Sequence, residues 1–279
     1  MKNLSRALLL AAASATLSLA ANAQDGSLNV ELLSSNPEHV TGGNALVRVS
    51  SDDAGAVEVM VDGQALTVDF VADAEGGSIG LIEGLPLGES LLEVVAGNST
   101  GTLAVTNYPT AGPVISGPHI EPFICQSEAF VLPDGSTYVA PADEATCETP
   151  TVVNYLYLPE GGDALVALPS TVTLPEDLST TTTTLGVSAP FIVRVETGMV
   201  DRGIYQTAIL HDPFNENDPT FSEPPQAWNK RLVAIHGYGC PGGWFVQGTG
   251  QGNIDSPMNA VLLDIDRLGE GYATFTNTL

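Results

Sequence analysis

The sequence is poor in basic residues and in cysteine, and it has no long apolar run beyond its N-terminal end. Lys and Arg together number 8 against 33 Asp and Glu, which gives a formal net charge of −25. Charge repulsion excludes nucleic acid as a partner and disfavours an anionic membrane surface. Solubility explains this charge most simply. Ca²⁺ binding is the alternative, but the chain has no Asp-x-Asp-x-Asp-Gly loop, so we predict no metal and no cofactor.

The N-terminal end has the pattern of a secretory signal peptide. Lys2 and Arg6 precede an apolar stretch from Ala7 to Ala20, and Ala21-Asn22-Ala23 follows that stretch. We therefore predict a signal peptide over residues 1–23, cleaved after Ala23. No stretch in the chain is long enough for a convincing membrane span. The predicted location is exported, either periplasmic or extracellular, with no membrane partner.

Three cysteines agree with export. Cys125 and Cys147 flank a loop-rich segment, and in an oxidising compartment they are the natural disulfide pair. Cys240 is then left over. It is either a buried free thiol or a cysteine whose partner lies elsewhere.

Residues 24–107 are predicted to form an immunoglobulin-like β-sandwich. Asp62-Gly63 between two alternating runs indicates a type I′ hairpin turn. Short strands at this spacing, separated by turn residues, are typical of a sandwich. The predicted strands are Leu28–Leu33, Ala45–Ser50, Ala56–Val61, Ala65–Phe70, Ile79–Ile82, Ser90–Val95 and Gly101–Val105.

One segment in this region imitates a catalytic motif. Gly76-Gly77-Ser78-Ile79-Gly80 matches the G-x-S-x-G nucleophile elbow. An elbow requires a buried strand before it and a helix after it, whereas acidic and glycine-rich turns surround Ser78. We predict a hairpin loop here and no catalytic role for Ser78.

Two pairs of polar residues could form a metal site or a catalytic pair. His119 and Glu121 lie two apart in a proline-rich segment, and we favour a pinned connector over a functional pair. His211 and Asp212 close a predicted strand, where a loop histidine is the simpler interpretation. A metal site built from all four residues requires distant loops to converge.

Residues 108–279 are predicted to begin with antiparallel strands and to end with a strand, a helix and a second strand. Thr151–Leu158 and the antiparallel pair Phe191–Glu196 and Gly203–Leu210 are predicted strands, and the threonine-rich segment Leu178–Leu185 is predicted to be a solvated loop or edge strand. Leu232–Ile235 is predicted to be a short buried strand. A helix from Ser256 to Leu268 and a strand at Tyr272–Thr276 follow it. Strand, helix and strand predict a βαβ crossover and a parallel pair.

The loop after Leu232–Ile235 is the predicted functional element. His236-Gly237-Tyr238-Gly239 follows the strand directly, and its glycines allow backbone N–H groups to approach a ligand closely. Such a loop at the carboxyl end of a parallel strand has the shape of an oxyanion hole.

Several segments resemble a family of secreted bacterial proteins of unknown function whose members are similar to α/β-hydrolases of the tannase and feruloyl-esterase kind. The segments are Gly117–Cys125, Cys147–Tyr157, Trp228–Gly248 and Gly271–Leu279. The resemblance implies an ester hydrolase with a serine nucleophile on an elbow and with Asp and His beyond it. It also implies that Tyr238 and Gly239 offer oxyanion-hole N–H groups, and that His236 is structural.

We therefore predict an α+β protein with three parts: signal peptide 1–23, immunoglobulin-like sandwich 24–107, and the N-terminal part of an α/β-hydrolase-like domain at 108–279. In that incomplete domain, antiparallel strands lead into one βαβ crossover. The expected function is that of an exported esterase-like protein truncated before its triad and inactive alone. Its partners would be a small-molecule ester or other ligand and the missing C-terminal half. The alternative is an exported, non-catalytic ligand-binding module.

Overall fold

A computed structural model gives the fold of the chain. It describes residues 28–51, 55–115, 117–119, 121, 123, 125–143, 145–235, 245–246, 251–252 and 262–277. Within these ranges nearly all regular structure is β. None of the helices described there is long and apolar enough to cross a membrane.

Residues 28–108 form a sandwich of two sheets. The first has the strand order β1-β3-β7-β6 and the second the order β2-β9-β8-β4-β5. All pairings are antiparallel except β2 with β9. The strands are β1 Leu28–Leu32, β2 Val40–Thr41, β3 Asn44–Ser51, β4 Val57–Val61, β5 Gln64–Leu66, β6 Phe70–Ala72, β7 Ser78–Glu83, β8 Gly88–Ala96 and β9 Ser99–Tyr108.

The sandwich has one core, supplied by both sheets. Val47 and Ile82 from the first sheet are fully buried with Leu92 and Val94 from the second. The cause is visible in the sequence, because apolar residues alternate with polar ones along β3 and β8 and alternate residues of a strand face the same side.

The predicted strands of this region are present, with one correction. The run Ala65–Phe70 is not a single strand, because β5 ends at Leu66 and β6 begins at Phe70. Asp62 and Gly63 both have positive φ, 49° and 78°, which confirms the type I′ turn between β4 and β5. The immunoglobulin-like assignment and the boundary at residue 107 stay predictions.

The rest of the chain is built on a six-stranded sheet of order β11-β10-β14-β15-β19-β16. Two small two-stranded sheets, β12-β13 and β17-β18, accompany it. The strands are β10 Val152–Tyr157, β11 Val166–Ala167, β12 Thr180–Thr182, β13 Ser188–Pro190, β14 Ile192–Val200, β15 Gly203–Leu210, β16 Leu232–Ile235, β17 Phe245–Val246, β18 Gln251–Gly252 and β19 Ala273–Asn277, with helix α1 at Ile265–Gly269.

This architecture shows that the predicted fold class, α+β with an incomplete α/β-hydrolase-like domain, is wrong. β16 and β19 do pair in parallel, as the crossover prediction required. Every other pairing in the six-stranded sheet is antiparallel, and α1 covers five residues. One parallel pair is therefore an addition to the edge of an antiparallel sheet, and it does not define an α/β layer.

The described part of the predicted helix is the segment Ile265–Gly269. Asp264 is its N-cap, and the Asp264 carboxylate accepts hydrogen bonds from the N–H groups of Asp266 and Arg267. The predicted start at Ser256 lies outside the described residues. Gly269 ends the helix, as the sequence indicated.

The six-stranded sheet contacts two separate cores. One lies between the sheet and α1 and contains Val193, Ala208 and Leu268. The other surrounds Cys147 and contains Phe130 and Ile204. Cys125 and Cys147 are joined as predicted, with their Cα atoms 5.5 Å apart.

Candidate functional site

The strand that leads to the predicted functional loop occupies one edge of the six-stranded sheet. In the parallel register of β16 and β19, Leu232 lies beside Ala273 and Ile235 beside Thr276. A buried side-chain hydrogen bond also holds β19 in place, because the Thr274 hydroxyl donates to the carbonyl oxygen of Leu262 at 2.6 Å. His236, Gly237, Tyr238 and Gly239 lie outside the described residues, and Cys240 does as well.

A buried asparagine fixes the start of β16. The backbone N–H of Asn229 donates to the carbonyl oxygen of Gly271 at 2.8 Å, and its side-chain amide donates to the carbonyl oxygen of Glu270 at 3.0 Å. The Asn229 side-chain oxygen accepts the N–H of Arg231 at 3.0 Å. Asn229 is only 5% exposed, so these hydrogen bonds form away from water, where an unmade bond is costly. This asparagine therefore sets the direction in which β16 begins.

The threonine-rich segment is also part of this arrangement, which sequence reasoning missed. Thr181 and Thr184 donate their hydroxyl hydrogens to the carbonyl oxygens of Gly269 and Glu270, at 2.9 and 3.1 Å. These carbonyls at the end of α1 have no partner within the helix. The threonines are thus C-terminal caps of the helix. No short-range pattern could have identified them, because their acceptors lie more than eighty residues away.

An open cavity of about 600 Å³ lies beside α1. Leu158 and Phe191 give it an apolar wall, and Asp266, Arg267 and Glu270 give it a charged rim. This volume is typical of small-molecule sites. Asp264 also lines the cavity, and its Oδ1 accepts both capping hydrogen bonds.

His211 is a buried structural histidine. It is 2% exposed, and its Nε2 lies 2.9 Å from the carbonyl oxygen of Asn217, which can only accept. Nε2 therefore carries a proton, and Nδ1 lies 3.1 Å from the Tyr155 hydroxyl, with which it shares a hydrogen bond. Burial raises the pKa of Tyr155, while Arg194 acts in the opposite direction. Both ring nitrogens of His211 lie within hydrogen-bond distance of fixed partners, so neither is free to act as a base.

Asp212 and Glu216 organise the loop that follows His211. The Glu216 carboxylate accepts the N–H groups of Asp212 and Gln226, at 3.0 and 2.9 Å, and so closes the loop at both ends. Asp212 accepts from the N–H of Phe214 at 3.0 Å. The adjacent cavity is about 110 Å³. That is below the usual size of a ligand site, which indicates a structural role for both carboxylates.

The four residues of the hypothetical metal site do not come together. His119 pairs with Asp201 at 3.0 Å and Glu121 pairs with Arg202 at 2.9 Å, both at the turn before β15. His211 follows the other end of β15, roughly 25 Å away at about 3.3 Å per residue. Among the residues that the structure describes, no three His, Cys, Asp or Glu side chains are placed to hold a metal ion. The metal hypothesis is wrong for these four residues.

Ser78 lies in a hairpin, as predicted. It begins β7, opposite Ala72 of β6 and Val49 of β3. The preceding Gly76 and Gly77 both have positive φ and form the turn between β6 and β7. No strained strand-to-helix turn is present at this serine, so it cannot act as an elbow nucleophile.

The described residues thus define a predominantly β protein whose functional loop would follow an asparagine-anchored parallel edge strand. The chain matches the tannase-like family of unknown function DUF6351 over residues 30–279. It therefore belongs to that family, and the resemblance inferred from the sequence is confirmed. The description of the family as tannase-like indicates a relationship to hydrolases.

Other comparisons add little. No curated protein matches the sequence. Among solved structures, the chain is similar to a crystal structure of the I9-I11 tandem from titin, with 13% identity and a TM-score of 0.21, covering 65% of this chain and 61% of that one. The chain thus spans less than two thirds of the length of the titin structure. A TM-score this low carries no information on fold or function.

Proposed function

We propose that this protein is an exported relative of carboxylic-ester hydrolases, and that β16 presents the loop His236–Gly239 as the oxyanion-binding part of the site. The membership of a tannase-like family carries this proposal. The anchoring of β16 by Asn229 supports it, because an oxyanion hole requires donors held in a fixed position. The N–H groups of Tyr238 and Gly239 would be those donors, with His236 in a structural role.

The proposal places the nucleophile and the base outside the described residues. The described histidines are His39, His119 and His211, and none of them is hydrogen-bonded to a serine there. Ser78 belongs to a hairpin of the sandwich. We therefore propose that neither these histidines nor Ser78 is catalytic, and that the described residues alone do not hydrolyse an ester.

Export is part of the same proposal. The disulfide between Cys125 and Cys147 supports an oxidising location, since such bonds are rare in the cytosol. The predicted signal peptide at residues 1–23 would direct the chain there. N-terminal sequencing of the secreted protein would test cleavage after Ala23.

The decisive experiment combines a DNA sequence with an activity measurement. Sequencing of the DNA downstream of residue 279 would show whether an in-frame Gly-x-Ser-x-Gly follows there between a predicted strand and a helix. The present chain should neither hydrolyse a short p-nitrophenyl ester nor react with a fluorophosphonate. The extended chain should do both, and replacing Gly239 by proline should lower its turnover about 10²- to 10³-fold, because one oxyanion donor is lost. Labelling of Ser78 in the present chain would contradict the proposal.

The cavity beside α1 favours a second candidate, a ligand-binding module without chemistry. It has a ligand-sized volume of about 600 Å³ and a charged rim, and the described residues that line it include no serine, cysteine or histidine. The absence of any downstream elbow, together with unaltered secretion and folding of the chain, would favour this candidate. Binding of neutral and charged small molecules could then be measured by calorimetry, with Arg267→Ala as the variant of the rim.

A further inference from the structure

The turn between β14 and β15 has an unusual composition. It contains two residues, Asp201 and Arg202, between the paired Val200 and Gly203. Both have positive φ, 48° and 62°, so this is a type I′ turn. Asn-Gly or Asp-Gly is favoured at these positions, and arginine in the left-handed region is unfavourable. The same chain uses Asp62-Gly63 for another type I′ turn.

Asp201 contacts the segment that follows the sandwich. Its backbone N–H donates to the carbonyl oxygen of Thr110 at 2.7 Å. Its carboxylate accepts a hydrogen bond from Nε2 of His119 at 3.0 Å. Gly112 lies against these two side chains with a φ of 73°, and any side chain at that position would collide with the Asp201 carboxylate. The close approach therefore requires the glycine.

Arg202 contacts the same segment from the other side of the turn. Its guanidinium donates to the carboxylate of Glu121 at 2.9 Å and to the carbonyl oxygen of Ala145 at 3.0 Å. It also lies over the ring of Phe123, 4.5 Å from the centroid. The Arg202 side chain is only 12% exposed. Arg202 thus links the turn to Glu121 in the segment after the sandwich and to Ala145 in the loop that the Cys125–Cys147 disulfide closes.

We infer that Asp201 and Arg202 form a latch that holds the connector, residues 110–123, against the six-stranded sheet. A turn that needed only to reverse the chain would carry glycine at its second position. Here both side chains serve contacts outside the hairpin, which explains why the less favourable residues are present. Places where local preference is violated are those where another function is expected.

The charges at the latch agree with this inference. Arg202 lowers the pKa of the Glu121 carboxyl, and a hydrogen bond from the N–H of Phe123 and the nearby His119 act in the same direction. The carboxylate is therefore stabilised in its charged form, as an ion pair with Arg202 requires. The ionisable groups that meet here are His119 and Glu121 from the connector and Asp201 and Arg202 from the turn.

The test converts this turn into a better turn that lacks the latch. In the double variant Asp201→Asn with Arg202→Gly, the Asn-Gly sequence should favour the type I′ turn, while the contacts of the arginine and the carboxylate are lost. Hydrogen exchange of the full chain should slow or stay unchanged in β14 and β15. Exchange in residues 110–123 should become about tenfold faster or more, because charged hydrogen bonds are removed.

A matched control is available in the type I′ turn at Asp62-Gly63. Asp62→Asn also creates Asn-Gly, and it should leave exchange in the connector unchanged. Glu121→Gln keeps the Asp201-Arg202 turn intact and should speed connector exchange by a smaller factor, which tests the latch even if the double variant folds poorly. Unchanged or slower connector exchange in both the double variant and Glu121→Gln would overturn the inference.

Discussion

The two β regions of this protein are stabilised in different ways. In the sandwich, alternating apolar residues of two sheets meet in one core, and side chains such as Val47 and Leu92 are fully buried. The six-stranded sheet instead has two smaller cores. Hydrogen bonds of Asn229 at β16 and between Gln206 and Thr197 within the sheet add to its stability, as does a disulfide. The sandwich is thus stabilised by the regular alternation of apolar residues along its strands. The six-stranded sheet depends instead on particular contacts between residues that are far apart in sequence.

Removing core volume from the sandwich should have the largest effect. Leu92→Ala should lower its free energy of unfolding by about 2–5 kcal/mol, because a cavity replaces a fully buried side chain. Both tryptophans, Trp228 and Trp244, lie outside the sandwich. Urea titration should therefore shift the circular-dichroism transition and leave the fluorescence transition in place.

A neighbouring leucine provides the control. Leu91 is 40% exposed and faces away from the core, so Leu91→Ala should change stability by about 0.5 kcal/mol or less. Equal shifts of both spectroscopic transitions in Leu92→Ala would show that the two regions unfold as one unit.

Loss of the disulfide should act on the other region. The bond closes a separation of 22 residues, and the double substitution of Cys125 and Cys147 by serine should cost about 3 kcal/mol in the chain-entropy model. Tryptophan fluorescence should now report the loss. A sandwich transition that moves equally would contradict the separation of the two regions, and unchanged fluorescence would show that the bond contributes little.

The anchor of β16 should have a smaller effect. Asn229→Ala removes the hydrogen bonds of a side chain that is only 5% exposed and leaves the N–H of Arg231 without its acceptor, so a cost of about 1–3 kcal/mol is expected. Asn215 makes an exposed side-chain bond to Asp212, so Asn215→Ala is the matched control and should cost about 0.5 kcal/mol or less. Thermal unfolding followed by fluorescence measures both. Equal losses would show that the position of Asn229 has no special importance.

Acid should weaken each region through one carboxylate. In the sandwich, the hydrogen bond from Arg48 and the N–H of Glu75 lower the pKa of Asp73. A depressed folded-state pKa gives stability that is present above the unfolded value, about 3.9 for Asp, and is lost as pH falls through the folded value. Arg48→Gln should therefore flatten the acid dependence of the sandwich transition. Glu121→Gln should do the same for the other region, and an unaltered pH profile in either variant would contradict this assignment.

Most strands of the sandwich could be predicted because their signal is local. Alternation in β3 and β8 and the Asp62-Gly63 turn require no knowledge of distant residues. The run Ala65–Phe70 failed because apolar composition alone does not show where a strand ends. Beyond the sandwich, β14, β15 and the parallel pairing of β16 with β19 were also predicted correctly, whereas the predicted burial of β16 was wrong, because it is an edge strand with Leu232 60% exposed.

The fold class of the second region could not be predicted in this way. One βαβ signal suggested an α/β layer, but the class depends on how the other strands pair, and those pairings join residues far apart in sequence. The Thr181 and Thr184 caps were missed for the same reason. The loop His236–Gly239 remains a prediction from sequence and family alone.

By itself, the sequence determined the strands of the sandwich, the disulfide partners and the membership of a tannase-like family, because alternation, cysteine spacing and motifs are local or compositional properties. Only the tertiary structure decided that β16 joins an antiparallel sheet, that Asn229 anchors it, and that Asp201 and Arg202 hold the connector. Those features are hydrogen bonds and ion pairs between distant segments. Such contacts become favourable only after the chain has folded and excluded water from them.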